Sequence, residues 1–199
     1  MAKLVNWHDF SEKLKAKRIL IFSQQDTRRL FGVSRVSATF LLYRYAKKGF
    51  IARIKRGLYT FSDSSLPDVY IAYSLYNPSY ISREFALSYH RVIPENVYEI
   101  TSVTPKSTRR FERQGKIFSY RHIKLLAFTG YTTEKQKGVS FLVADPEKAF
   151  VDANYFRLLD HLKPLSRFAK EKINPTKAIH YAKLFENKLL ERIITTTLR

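Results

Sequence analysis

The chain has 199 residues, 45% of them hydrophobic, which is enough apolar material for one or two small domains and too much for a disordered polymer. Thirty-six Lys and Arg against 17 Asp and Glu leave a formal net charge of +19, an excess that asks for a polyanionic partner: nucleic acid or an anionic membrane surface. The chain has no Cys, which excludes disulfides, thiolate nucleophiles, zinc fingers and iron–sulfur clusters and fits a reducing compartment. The N-terminus mixes Lys3, His8 and Asp9 among its apolar residues, and no run reaches the roughly 18 apolar residues of a span. A cytoplasmic protein with no membrane segment is expected.

Charge is uneven along the chain. Residues 1–62 carry 14 Lys and Arg against three acids, Asp9, Glu12 and Asp26. The stretch Asp63-Ser64-Ser65-Leu66-Pro67-Asp68 reads as a linker. It predicts a first domain over 1–62 and a second over 69–199.

The first segment reads helix, helix, helix, hairpin. Helix one is predicted from Asn6 or Trp7 to Arg18, followed by a β-branched and aromatic stretch, Ile19 to Phe22. Ser23 has the chemistry of an N-cap, with Asp26 three residues on, so helix two runs Gln24 to Phe31. Gly32-Val33-Ser34 is a tight turn in which Gly32 can take positive φ and Ser34 can cap helix three, Arg35 to about Lys48. Phe50 to Ile54 and Gly57 to Phe61 alternate as strands around a basic tip, Lys55-Arg56-Gly57. That order is a winged helix-turn-helix.

The second segment is mixed. Ser82 to His90 reads as a helix, and Val97 to Val103, Lys116 to Ile123 and Val139 to Val143 as strands. Asp145-Pro146-Glu147 opens a helix to about Leu162, with Asp as N-cap and Pro at the first helical position. Asp152 follows about a turn later; if it faces inward, it needs a partner such as Lys148 or Arg157. One last helix follows Asn174-Pro175, with Ala178, Ala182, Phe185, Leu189 and Ile193 at helical spacing. The predicted class is α+β: an N-terminal winged helix-turn-helix followed by a mixed α/β C-terminal domain.

A helix in the major groove needs one face for the core and one for base edges. On helix three, Ala38, Leu41, Leu42 and Tyr45 form the first face. Arg35, Ser37, Thr39, Tyr43, Arg44 and Lys47 lie more on the other. Arg35, Ser37 and Thr39, in its N-terminal half, are the base-reading candidates; Arg44, Lys47 and Lys48 are candidates for phosphate. Ser34 in the turn, Arg28 and Arg29 on helix two, and Arg53, Lys55 and Arg56 on the hairpin complete the predicted double-stranded DNA site.

Enzyme signatures are sparse. The five His form no H-x-H or HExxH pair, and the chain has neither a Gly-rich phosphate loop nor a G-x-S-x-G elbow. No catalytic residue, metal or cofactor is expected. An E-x-K pair of the kind found in metal-dependent nucleases occurs once, at Glu186-Asn187-Lys188, on the last helix. It leaves an RNA-binding protein or nuclease as the alternative, with the 13 Tyr and 15 Phe as stacking platforms. Phe85, Tyr89 and Phe185 sit at core-like spacing, which argues against that use.

Several stretches together resemble the AbiEi antitoxins of bacterial and archaeal type IV toxin–antitoxin systems. They are Leu30-Phe31-Gly32-Val33-Ser34, Ile54-Lys55-Arg56-Gly57-Leu58-Tyr59, Tyr80 to His90, Thr101 to Phe111, Phe118 to Ile123, and Val143 to Asp152, which contains Asp145-Pro146-Glu147-Lys148. Their order spans about Phe22 to Phe156. The resemblance implies a winged helix joined to a domain that contributes to antitoxicity. It also implies repression of the protein's own operon through inverted repeats. The functional partner would be a nucleotidyltransferase toxin, countered without a stable complex.

Overall fold

The computed structural model describes residues 5–113 and 115–199; Lys3 of the N-terminal stretch lies outside them. The chain divides into two compact units, Met1–Leu66 and Pro67–Arg199. Asp63 to Leu66 go with the first unit, where Ser64 donates its N–H to Phe61 O at 3.2 Å. Asp68 opens a helix of the second.

Unit 1 contains α1 (Trp7–Ala16), β1 (Ile21–Ser23), α2 (Gln24–Phe31), α3 (Arg35–Lys47), β2 (Ile51–Lys55) and β3 (Leu58–Phe61). The three strands form one antiparallel sheet in the order β1-β3-β2. Local chemistry sets each helix start. Asn6 Oδ1 accepts the Asp9 N–H at 2.8 Å. Ser23 and Asp26 form a reciprocal capping box, at 2.9 and 3.2 Å. Ser34 Oγ accepts the Ser37 N–H at 3.1 Å. Helix α1 stops two residues short of the predicted Arg18. Arg18 turns to φ +54°, and the next N–H, of Ile19, folds back to Leu14 O at 2.9 Å.

The core of unit 1 is largely aromatic. Phe10, Phe22, Tyr45 and Phe61 are buried with Leu14, Leu41, Leu42 and Ile51. Trp7 stacks on Phe50 at 4.5 Å, and Phe10 lies against Phe22, Phe31 and Tyr45 at 5.0–5.6 Å. The Tyr45 hydroxyl donates to Val5 O at 2.9 Å, so burial is met by a partner.

Unit 2 contains α4 (Asp68–Leu75), β4 (Tyr80–Ile81), α5 (Arg83–Tyr89), β5 (Ile100–Thr104), β6 (Arg109–Arg113), β7 (Lys116–His122), β8 (Tyr131–Gln136), β9 (Val139–Ala144), α6 (Pro146–Leu159), α7 (Pro175–Lys183) and α8 (Lys188–Leu198). Its sheet runs β6-β7-β5-β4-β9-β8, with β4–β9 and β5–β7 parallel and the other neighbours antiparallel. The molecule as a whole is mixed α and β.

Several expectations are corrected. Helix α4 and strands β4, β6 and β8 are absent from the sequence reading. β4 has two residues, while β6 (RRFER) and β8 (YTTEKQ) are polar rims without an apolar alternation to read. The strand expected from Val97 begins at Ile100. Tyr89, expected at a core position, is 42% exposed at the end of α5. Helix α6 ends at Leu159, not Leu162, because His161 takes φ +56° and Leu162 folds back to Arg157 O at 2.8 Å. The single last helix is two: Glu186 takes φ +51°, and Asn187 caps α8 by accepting the Leu190 N–H at 3.0 Å. The break advances the register, so Leu190, Ile194 and Leu198 are buried and Leu189 is exposed.

Asp152 does face inward. It pairs with Lys148 one turn earlier, both side chains fully buried, and Arg157 instead donates to Lys163 O. Asp152 also accepts from Ser82 Oγ at 2.6 Å and from the Tyr80 hydroxyl at 3.1 Å. Burial pulls the Lys148 ammonium below the usual lysine range, against the opposing pull of Asp152. Asp145 caps α6, and Lys177 of α7 reaches Asp145 and Glu147 at 3.0 Å each. The acidic run is therefore a clasp between α6 and α7.

Two predictions follow from these contacts. Asp152→Ala strands a buried ammonium and is expected to cost about 3–5 kcal/mol; Lys148→Met with Asp152→Leu removes the stranded charge but leaves the Ser82 and Tyr80 hydroxyls without their acceptor, so it recovers only part of that loss, as read by urea unfolding. Burial raises the Glu147 carboxyl, but the Asn174 N–H and Lys177 outweigh it and hold the group below its ordinary value. Its stabilisation is complete above the ordinary glutamate value of about 4.3 and fades as pH falls through the lowered one. Glu147→Gln is expected to flatten that acid limb in thermal melts.

Candidate nucleic-acid interface

Helix α3 divides cleanly by its 3.6-residue period. Ala38, Leu41, Leu42 and Tyr45 are buried. Opposite them runs a crest of Val36, Phe40, Tyr43 and Lys47, in which the first three are 64%, 64% and 62% exposed. By the same period Arg35 and Thr39 flank the crest on one side and Arg44 and Lys48 on the other, all four exposed. Ser37 lies beyond Arg44, half-buried.

The predicted hydroxyls already have work inside the protein. Ser34 Oγ caps α3 and lies 2.9 Å from Ser37 Oγ. Thr39 donates to Arg35 O at 2.9 Å. Gln24, in the first turn of α2, donates to Arg35 O at 3.1 Å and to Thr39 Oγ1. That amide ties the start of α2 to the first turns of α3 and fixes how α3 is carried. Gly32 makes the intervening turn, at φ +64°, and its N–H reaches Arg28 O at 2.9 Å. Lys13 of α1 donates to Leu30 O at 2.5 Å, closing the end of α2.

Arg28 and Arg29 are exposed on α2, with Arg29 3.3 Å from Asp26. On the hairpin, Arg53 and Arg56 are exposed and Lys55 is half-buried. Gly57 turns the chain at φ +80°, and pairing shifts between Arg53 and Lys55, so Ile54 is buried while the tip stays basic. From Gln24 to Phe61 the chain carries nine Lys and Arg and one acid, Asp26, which the capping box holds. At this density the local field is strongly positive. All thirteen predicted residues belong to unit 1. Sequence reasoning missed Gln24, whose partner is eleven to fifteen residues away, and the outward side of Val36 and Phe40. The 3.6 spacing carried that last signal.

No family model and no curated protein matches this chain.

Glu186 lies in the turn between α7 and α8, not on a helix, and pairs with Lys124 at 2.8 Å, while Asn187 serves as a cap. Among the described residues no group of three or more His, Asp or Glu stands together as a metal cage. No helix among them is long and apolar enough to cross a membrane. A hollow of about 390 Å³ in unit 2 is walled by Tyr73, Asn77, Ser79, Phe128, Tyr131 and other uncharged residues.

Ser34 separates a structural from a contact role. Ser34→Ala is expected to lower the unfolding free energy of unit 1 by about 1 kcal/mol, and Ser34→Asn to restore it, in urea titrations of the full chain.

Proposed function

We propose that unit 1 is a winged helix-turn-helix that binds double-stranded DNA, with α3 as the recognition helix and the β2–β3 hairpin as the wing. One observation carries this reading. A helix buried on one face presents arginines, a threonine and two lysines on the other, within a stretch of nine cations and one acid that ends in a basic hairpin. Arg35, at the start of α3, has the length and the fork to bond guanine O6 and N7. Arg44, Lys47 and Lys48 lie further along, where phosphates flank the groove. Arg28 and Arg29 take the role of the preceding helix, which crosses the backbone. Arg53, Lys55 and Arg56 give the wing its phosphate contacts.

The whole chain then reads as a transcriptional regulator, the autorepressing antitoxin of a type IV toxin–antitoxin pair. The resemblance to the AbiEi antitoxins supports this. Two of its stretches, Tyr80 to His90 and Val143 to Asp152, meet in unit 2 through Tyr80, Ser82 and Asp152, and through His90 Nε2 at 2.8 Å from Ala144 O. The partner is a nucleotidyltransferase toxin encoded alongside, opposed without a stable complex. The operator carries inverted repeats.

A filter-binding salt titration tests the DNA reading. Neutralising about 6–10 phosphates makes affinity fall roughly 10³–10⁵-fold between 50 and 200 mM salt; a flat response overturns it. Arg35→Ala is expected to weaken selected sites more than random duplex, and Lys55→Ala to weaken both alike. Co-expression with the neighbouring nucleotidyltransferase tests the antitoxin role: growth returns, while the two proteins elute separately in gel filtration.

A further inference from the structure

Three large apolar side chains stand where a water-facing helix ordinarily carries polar ones. Val36, Phe40 and Tyr43 keep the i, i+4, i+7 spacing that sets them in one line along α3, each more than three-fifths exposed. Isolated exposed apolar residues need no explanation, but a contiguous line marks a contact surface. Its surroundings indicate what covers it. Helix α3 contains no acid, Arg35 and Arg44 border the line, and Lys47 continues it. An apolar protein groove laid here would strip water from those cations without replacing it. A duplex would bring phosphates to the cations while its groove floor met the line.

The floor of the major groove has one apolar feature, the 5-methyl group of thymine. Val36 and Phe40 are four residues apart, a rise of about 6 Å along the axis, which is close to two base steps of about 3.4 Å. Val36 lies in the first turn of α3, the end of a recognition helix that reaches base edges. We propose that Val36 and Phe40 read thymine methyl groups in the major groove, about two base steps apart, and so set sequence specificity beside Arg35. This rests on the duplex-binding reading of α3.

Deoxyuridine deletes that methyl and leaves every hydrogen-bonding edge intact. Duplexes retained by the full chain from a randomised pool are to be resynthesised with deoxyuridine at each thymine in turn. The expected result is thymine at two positions about two steps apart, with a loss of about fourfold for each methyl removed, the transfer cost of one such group. Val36→Ala and Phe40→Ala each lose the discrimination at one of those positions and keep the salt dependence. Both side chains are exposed, so neither change threatens the fold. Equal binding of thymine and deoxyuridine duplexes, or retained duplexes with no shared thymine, overturns the inference while the salt response upholds duplex binding. Failure to retain any duplex at low salt overturns the duplex reading itself. Self-association lost in Phe40→Ala without a change in DNA binding assigns the line to a second copy of the chain and also defeats the proposal.

Discussion

The burial of one stripe of α3 governs unit 1. Ala38, Leu41, Leu42 and Tyr45 can leave water only by pressing that side of the helix into the aromatic core. Once they do, the opposite side is fixed without further instruction, because a helix has only one rotation that buries all four. The crest and its cationic flanks follow from this packing. Their chemistry is free to vary because the core does not use it. Gln24 adds the remaining constraint, holding the first turns of α3 against the start of α2.

Unit 2 is organised by a polar interaction instead. Lys148 and Asp152 sit one helical turn apart in the interior, and the carboxylate gathers Ser82 and Tyr80 from the β4–α5 region. A buried ion pair adds little net stability against an apolar substitute, but it tolerates few alternative arrangements. Here it selects one docking of α6 against the central strand. Around it, Lys177 joins α7 to the start of α6, and Arg121 of β7 makes a two-pronged pair with Asp160 at the end of α6 at 2.8 and 2.9 Å.

The legible parts of the fold were those with local causes. Ser23 with Asp26, Gly32, Ser34 and Asp145-Pro146 mark element ends with side chains that act within three or four residues, and the elements begin where those residues stand. The buried stripe of α3 was legible from spacing alone. What escaped depends on distant partners. β1 becomes a strand by pairing with a distant β3, Ile21 opposite Thr60 and Ser23 opposite Leu58, and β4 has only two residues to announce it. The turn at Glu186 was hidden because apolar residues continue at helical intervals across it; only Asn187, a capping residue, signals the break. At the candidate site, charge was visible, whereas the outward line of Val36 and Phe40 looked like ordinary core material.

The two rims of the large sheet carry a further consequence. An uncovered rim strand offers a ladder of unpaired amides and carbonyls to any other extended chain. β6 presents Arg109, Arg110, Glu112 and Arg113, and β8 presents Glu134 and Lys135. To add a strand there, an incoming backbone must settle beside ionised groups and lose their hydration. The same polarity that hides these strands from pattern reading sets a desolvation cost against lateral growth of the sheet.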